Sequence, residues 1–205
     1  MSRRTPPTNP SGPPGPEGAW AVIGLGNPGP SYEGHRHNVG AMVVAALAQA
    51  HGESLRPHRT RALVARFRMD VPGGPGSEMV PVIAAQPTTY MNEAGGPIRA
   101  MTSYFNINTD HIVAVHDDLE LEFGTVRVKA GGGEGGHNGL RSLSKALGTR
   151  DYVRLRIGIG RPPGRMEPAT FVLKPFSRNE QSDIPFVVDE AIAQLTGVID
   201  RHRRS

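Results

Sequence analysis

The chain has 205 residues and no cysteine, which excludes disulfide scaffolds, thiolate metal sites and a cysteine nucleophile. Its net charge of +4 sits in the tails. Setting aside Arg3, Arg4, Glu17, Arg201, Arg203 and Arg204 leaves as many acidic as basic residues, so only individually placed cations, and no broad basic field, can speak for nucleic acid.

Proline and glycine fill half of the first 18 positions (Pro6, Pro7, Pro10, Pro13, Pro14 and Pro16, with Gly12, Gly15 and Gly18). Such a stretch cannot bury enough surface to offset its ordering entropy, so residues 1–18 read as a disordered extension. Residues 19–205 suffice for one large core. No apolar run approaches the roughly 18 residues of a membrane span, and the N-terminus lacks the apolar core of a secretion signal. The sequence therefore reads as soluble and intracellular.

In chain order, Trp20 to Leu25 is a continuous apolar run and reads as a buried strand. From Asn38, apolar residues at Val39, Met42, Val43, Ala46 and Leu47 follow helical spacing, and Gly52 ends the run. Residues 60–69 alternate, with Leu63, Ala65, Phe67 and Met69 on one face and Arg66 and Arg68 on the other. Residues 71–77 read as a turn, and Met79 to Ala85 as the next strand. A helix is expected from Glu93 to Phe105, short strands at Ile112–Val115 and Val126–Lys129, and a helix at 139–147 after the glycine-rich loop 131–136. Tyr152 to Ile159 alternates apolar residues with Arg154 and Arg156. A loop at 160–168 and a short strand at 171–173 follow. Ser177 and Glu180 form a capping-box pattern that opens a last helix with Ile184, Val187, Val188, Ala191, Leu195 and Val198 on one stripe. Strands mixed with crossover helices predict an α/β sandwich on a partly parallel sheet.

Gly24-Leu-Gly-Asn-Pro-Gly29 fits the G-x-G-x-x-G pattern of dinucleotide-binding proteins. That pattern needs a helix to begin among the glycines and an acidic residue about 20 positions on. Pro28, Pro30 and Gly34 keep this chain irregular until about Asn38, and the acidic residue is missing. The better reading is a strand-end loop that holds Asn27. His37 at the mouth of the first helix reads in three ways: a turn hydrogen bond, a metal ligand with His35 and His116-Asp117-Asp118, or a general base oriented by Asp117. His35 and His37 point apart in an extended segment, which disfavours the metal. Asn92 and Asn138 each precede a helix and read as N-caps, or with Asn27 as neutral donors and acceptors for a carbonyl and a water. The glycine loop lacks a following Gly-Lys-Ser/Thr and is no nucleotide P-loop. Lys129, Arg154 and Arg156 are solvated cations unless two of them clamp a phosphate.

Five stretches together resemble the bacterial-type peptidyl-tRNA hydrolase family: GLGNPGPSYEGHRHNVG (24–40), TTYMNEAG (88–95), VHDDLEL (115–121), KAGGGEGGHNGL (129–140) and RLRIGIGRP (154–162). They occur in family order and spacing over about residues 20–200. The resemblance implies a single α/β/α domain with a mixed twisted sheet, acting as a cytoplasmic monomer without metal or cofactor on the ester between peptide and tRNA. It assigns His37 as the catalytic histidine, Asp117 as the carboxylate orienting it, and Asn27, Asn92 and Asn138 as site asparagines. Of these, Asn92 and Asn27 join the catalytic set, while Asn92 and Asn138 also bind substrate. Tyr32, Tyr90 and Met91 fall along the peptide groove, and Lys129 and Arg156 match cations that meet the tRNA 5′-phosphate. Two positions depart from the pattern: Tyr90, where Phe is common, and Glu134, where some members carry His. The 1–18 extension lies outside it. Two rival readings are an RNA-binding protein that has lost hydrolysis and a nicotinamide-dependent oxidoreductase.

Overall fold

The computed structural model describes residues 16–73 and 76–204. Most of the extension expected to be disordered, residues 1–15, lies outside the described residues, and Pro16 to Ala19 form a turn that leads into the first strand.

Seven strands form one sheet: β1 (Trp20–Gly24), β2 (Arg56–His58), β3 (Ala62–Gly73), β4 (Gly76–Pro87), β5 (Ile112–Asp118), β6 (Val126–Ala130) and β7 (Val153–Gly158). Their order across the sheet is β2-β3-β4-β1-β5-β7-β6. The four central strands are parallel: β1 runs beside β4 and β5, and β5 beside β7. The outer pairs β2–β3, β3–β4 and β6–β7 are antiparallel. Apolar runs such as Trp20 to Gly24, buried at every position, suit central strands covered on both faces.

Helices cover both faces. On one, α1 (Val39–Ala50) and α5 (Arg178–Arg203) close a core that includes Trp20, Val22, Val44, Leu47, Val82, Val113, Leu155 and Leu195. On the other, α2 (Gly95–Tyr104) and α3 (Asn138–Leu147) pack Ile98, Met101 and Leu143 against Ile23, Ile83 and Ile112. The result is an α/β/α sandwich with a mixed sheet: the alternating signals predict an α/β sandwich on a partly parallel sheet, and the family resemblance implies the three layers and the mixed sheet. The capping box also forms: Ser177 Oγ accepts from Glu180 N, and Glu180 Oε2 from Ser177 N.

Two expectations are corrected. Within the proline- and glycine-rich stretch 71–77 the described residues are strand, with Val71, Pro72 and Gly73 opposite Glu78, Ser77 and Gly76, while positions 74 and 75 lie outside the described residues. β2 covers β3 only as far as Val64, so Pro72 lies on an open edge where a missing N–H costs no ladder bond. The strand expected at 171–173 is instead a short helix, α4 (Pro168–Val172). Pro168 at its first position is preset for a helix start, a signal that outweighs the apolar run behind it.

One close approach sets up the functional end of the sheet. A Cβ on Gly40 would run into the Val115 carbonyl and the Leu25 backbone. Only glycine lets the start of α1 press onto β1 and β5 here.

Candidate active site

The parallel strands all end at one edge, the position where crossover connections leave a crevice. The glycine-rich segment after β1 enters no α-helix. It passes through two 3₁₀ turns, Pro30–Tyr32 and Arg36–Asn38, before α1 begins at Val39, so the requirement of a dinucleotide fingerprint is not met.

His37 sits in the second turn, against the end of β5. Its Nδ1 lies 2.8 Å from Asp117 Oδ1. The same oxygen lies 3.0 Å from His137 Nε2. His137 is the N-cap of α3, and its Nδ1 accepts from Gly139 N at 3.1 Å and Leu140 N at 3.3 Å. An accepting Nδ1 carries no proton, so His137 donates through Nε2–H to Asp117. His37 then donates through Nδ1–H, and its Nε2 keeps a lone pair with no hydrogen-bond partner among the described residues. All three side chains are buried. Burial would push the Asp117 carboxyl up, but the neighbouring His137 and His37 rings and their hydrogen bonds outweigh it and hold the carboxyl well below the usual carboxylate range.

His116 precedes this aspartate on β5. Its Nδ1 donates to the Asp117 carbonyl at 2.7 Å, and its buried Nε2 meets no hydrogen-bond partner among the described residues. Burial, reinforced by His137 beside it, pushes the ring down to about 3, so it stays neutral near pH 7.

Asn27 is held from two sides. Its backbone N donates to Asn38 Oδ1 at 3.0 Å, and Asn38 Nδ2 donates back to its carbonyl at 2.9 Å. Its side-chain Oδ1 accepts from Met91 N at 2.8 Å, which leaves the Nδ2 donors over. This bond ties the loop after β1 to the loop after β4, where Asn92 is exposed. Tyr90 is 57% exposed and meets Tyr32 edge-to-face at 6.4 Å. Met91 is buried in the core.

A cleft of about 620 Å³ opens beside His37 and Asp117, lined also by Asn138, Lys129, Arg156 and the glycine loop 133–136. Lys129 and Arg156 project from adjacent strands on the same face, diagonal to each other and two positions out of register. Arg156 Nε donates to Asp118 Oδ2 at 2.7 Å. Arg154, expected among the solvated cations, is 1% exposed. Its guanidinium donates to the Gly131 and Gly132 carbonyls and lies 4.5 Å over the Tyr152 ring. It pins the start of the glycine loop and faces no solvent.

A profile of the peptidyl-tRNA hydrolase family matches residues 21–204. The chain belongs to the peptidyl-tRNA hydrolase family. It is 56% identical to the peptidyl-tRNA hydrolase of Kineococcus radiotolerans over 175 residues, covering 84% of this chain and 87% of that one. The peptidyl-tRNA hydrolase of an Arthrobacter species is 49% identical over 180 residues, 88% and 90% of the two chains. A crystal structure of a point mutant of peptidyl-tRNA hydrolase from Acinetobacter baumannii superposes with a TM-score of 0.76 at 32% identity, covering 89% of each chain.

For this family member, the structure gathers His37, Asp117, Asn138, Lys129 and Arg156 around the cleft. Asn27, Asn92, Tyr32, Tyr90 and Met91 form a neighbouring group on the loops after β1 and β4 and do not line it. Asn138 is the first residue of α3 and accepts from Arg141 Nη1 at 3.2 Å, so the cap is its neighbour His137. His137, Asn38 and the burial of Arg154 escaped the sequence reading. The sequence signal for His137 is its place just before Asn138, one residue ahead of the expected cap.

The metal reading also changes partners. His35 packs its ring on Tyr32 and is not part of the cluster. Among the described residues, His37, Asp117 and His137 are the buried donors that come within ligand distance of one another. Their facing atoms are hydrogen-bonded to each other at 2.8 and 3.0 Å, so an ion there would replace both bonds.

Proposed function

We propose that the chain hydrolyses the ester joining a peptide, or an N-blocked amino acid, to the terminal ribose of tRNA, releasing both during translation. The observation that carries this reading is the His37–Asp117 contact, which leaves the His37 Nε2 lone pair over at a cleft also walled by Lys129 and Arg156. An ester is already activated, so a positioned base and an oxyanion donor suffice without a metal.

His37 Nε2 takes a proton from water as the water oxygen attacks the ester carbonyl. Asp117, kept anionic by its two histidine donors, stabilises the imidazolium that forms. Asn92 donates to the developing oxyanion, while Asn27 and Asn138 hold the water and the peptide backbone. When the tetrahedral intermediate collapses, the C–O bond to ribose breaks and the imidazolium returns its proton to the departing ribose oxygen. Tyr32, Tyr90 and Met91 shape the peptide side. Lys129 and Arg156 meet the tRNA 5′-phosphate. A charged α-amine fits poorly where an amide N–H is accepted, so free aminoacyl-tRNA is spared.

The protein acts in this reading as a cytoplasmic monomer without cofactor. Among the described residues, no helix is long and apolar enough to cross a membrane. The test is incubation with N-acetylated aminoacyl-tRNA in the presence of chelator, with free aminoacyl-tRNA beside it. Rapid release of the acetylated amino acid alone is expected; binding without release would point to an RNA-binding protein that has lost hydrolysis.

A further inference from the structure

A second cluster of metal-ligating side chains lies at the opposite end of the sheet from the cleft. Asp110 and His111 occupy a 3₁₀ turn (Thr109–His111) just before β5, and His202 lies in the last turn of α5. One imidazole nitrogen from each histidine and a carboxylate oxygen of Asp110 lie within 4.8 Å of one another. A tetrahedral zinc site with ligands at about 2.0–2.1 Å needs them roughly 3.4 Å apart, so small side-chain rotations close the gap. The rings are already held. His111 stacks on Trp20 with centroids 4.8 Å apart, and His202 meets His111 and Trp20 edge-on, each at 5.0 Å. Two of the flanking cations are compensated: Arg203 pairs with Glu78 and Arg204 with Asp200. Asp110 is exposed and the histidines are half-buried, which leaves a fourth position open to water.

We propose that Asp110, His111 and His202 form a site for a borderline divalent transition metal ion, of the zinc, nickel or copper class, that staples the end of α5 to the start of β5. Two imidazoles with one carboxylate select such ions over magnesium or calcium. None of the three residues has a part in the hydrolysis proposed above.

Trp20 is the single tryptophan of the chain, and its contact with both histidines makes it the reporter. Untagged protein is titrated with nickel ion in a non-chelating buffer while tryptophan fluorescence is read. Quenching that saturates at one equivalent, and is competed by zinc, is expected. Zinc alone should raise the thermal midpoint. His202→Gln and Asp110→Asn should each weaken nickel binding by at least about tenfold and abolish the zinc-induced shift. His37→Ala, which removes a donor from the other cluster, should leave the quench intact. Absence of saturable quenching, or unchanged binding in both ligand variants, would overturn the proposal. So would loss of the quench in His37→Ala, because the ion would then sit at the catalytic cluster.

Discussion

Arg36 and Glu180 meet through a 2.7 Å contact between Nη2 and Oε2, joining the turn that carries His37 to the capping box of α5. The guanidinium also donates to the Pro175 carbonyl at 2.7 Å and lies 4.2 Å over the Phe171 ring. Arg36 is buried, while the Glu180 side chain keeps 20% of its exposure. The last helix, remote in sequence, thus braces the turn that carries His37.

Arg36→Met keeps the packing and strands Glu180 with only its capping bond. A fully buried broken pair costs about 3–5 kcal/mol, and the exposure of Glu180 lowers that here to roughly 1–3 kcal/mol. Urea unfolding reads the loss. If the brace positions His37, kcat should also fall while KM changes little; an unchanged kcat in folded variant would make the contact purely structural.

The pH dependence of stability follows from Asp117. Its carboxyl is held below the ordinary value in the folded protein, so its contribution is fully present above the unfolded value of about 3.9. That contribution is lost as pH falls toward the lower folded value. The stability gap between the wild type and Asp117→Asn should be constant from about pH 5 to 7 and shrink below about pH 4. A gap that widens with acid would reverse the assignment.

His137→Ala removes both the cap of α3 and one donor to Asp117. The cap is worth about 1 kcal/mol. His137→Asn can restore the cap without reaching Asp117, so it should recover the cap's share of the stability but not turnover. Equal recovery of both would make the cap the only role of His137.

Lys129→Ala should raise KM for peptidyl-tRNA with kcat little changed, because a phosphate contact binds ground and transition states alike. The log–log salt slope should shrink by about 0.7–0.9. Arg156 already shares its charge with Asp118, so Arg156→Ala should shrink the slope less. Substrate without the 5′-phosphate should mimic both variants and add little to either.

The order of helices and strands was legible wherever periodicity and punctuation agreed: Trp20 to Gly24, the run from Val39 to Gly52, and the capping box at Ser177. Pro72 looks locally like a strand terminator, and only the open edge of β3 lets the strand run on through it. At 171–173 the apolar run suggests a strand, and Pro168 ahead of it decides for helix α4. At the site, the motifs reached His37 and Asp117, which lie 80 residues apart. The alternation that set Arg154 beside Arg156 was correct for the strand and silent about cover. Burial of Arg154 depends on the glycine loop folding over it, a tertiary fact that no local pattern records. His137 was hidden for a similar reason, since its contact with Asp117 exists only once β5 and α3 meet.

The central claim is that His37 is the base. Single-turnover hydrolysis of N-acetylated aminoacyl-tRNA by wild type and His37→Ala, with substrate affinity measured in parallel, tests it most directly. A fall in rate of about 10²–10⁴ with affinity nearly intact is the predicted result. A variant that binds and turns over at close to the wild-type rate would remove His37 from the chemistry.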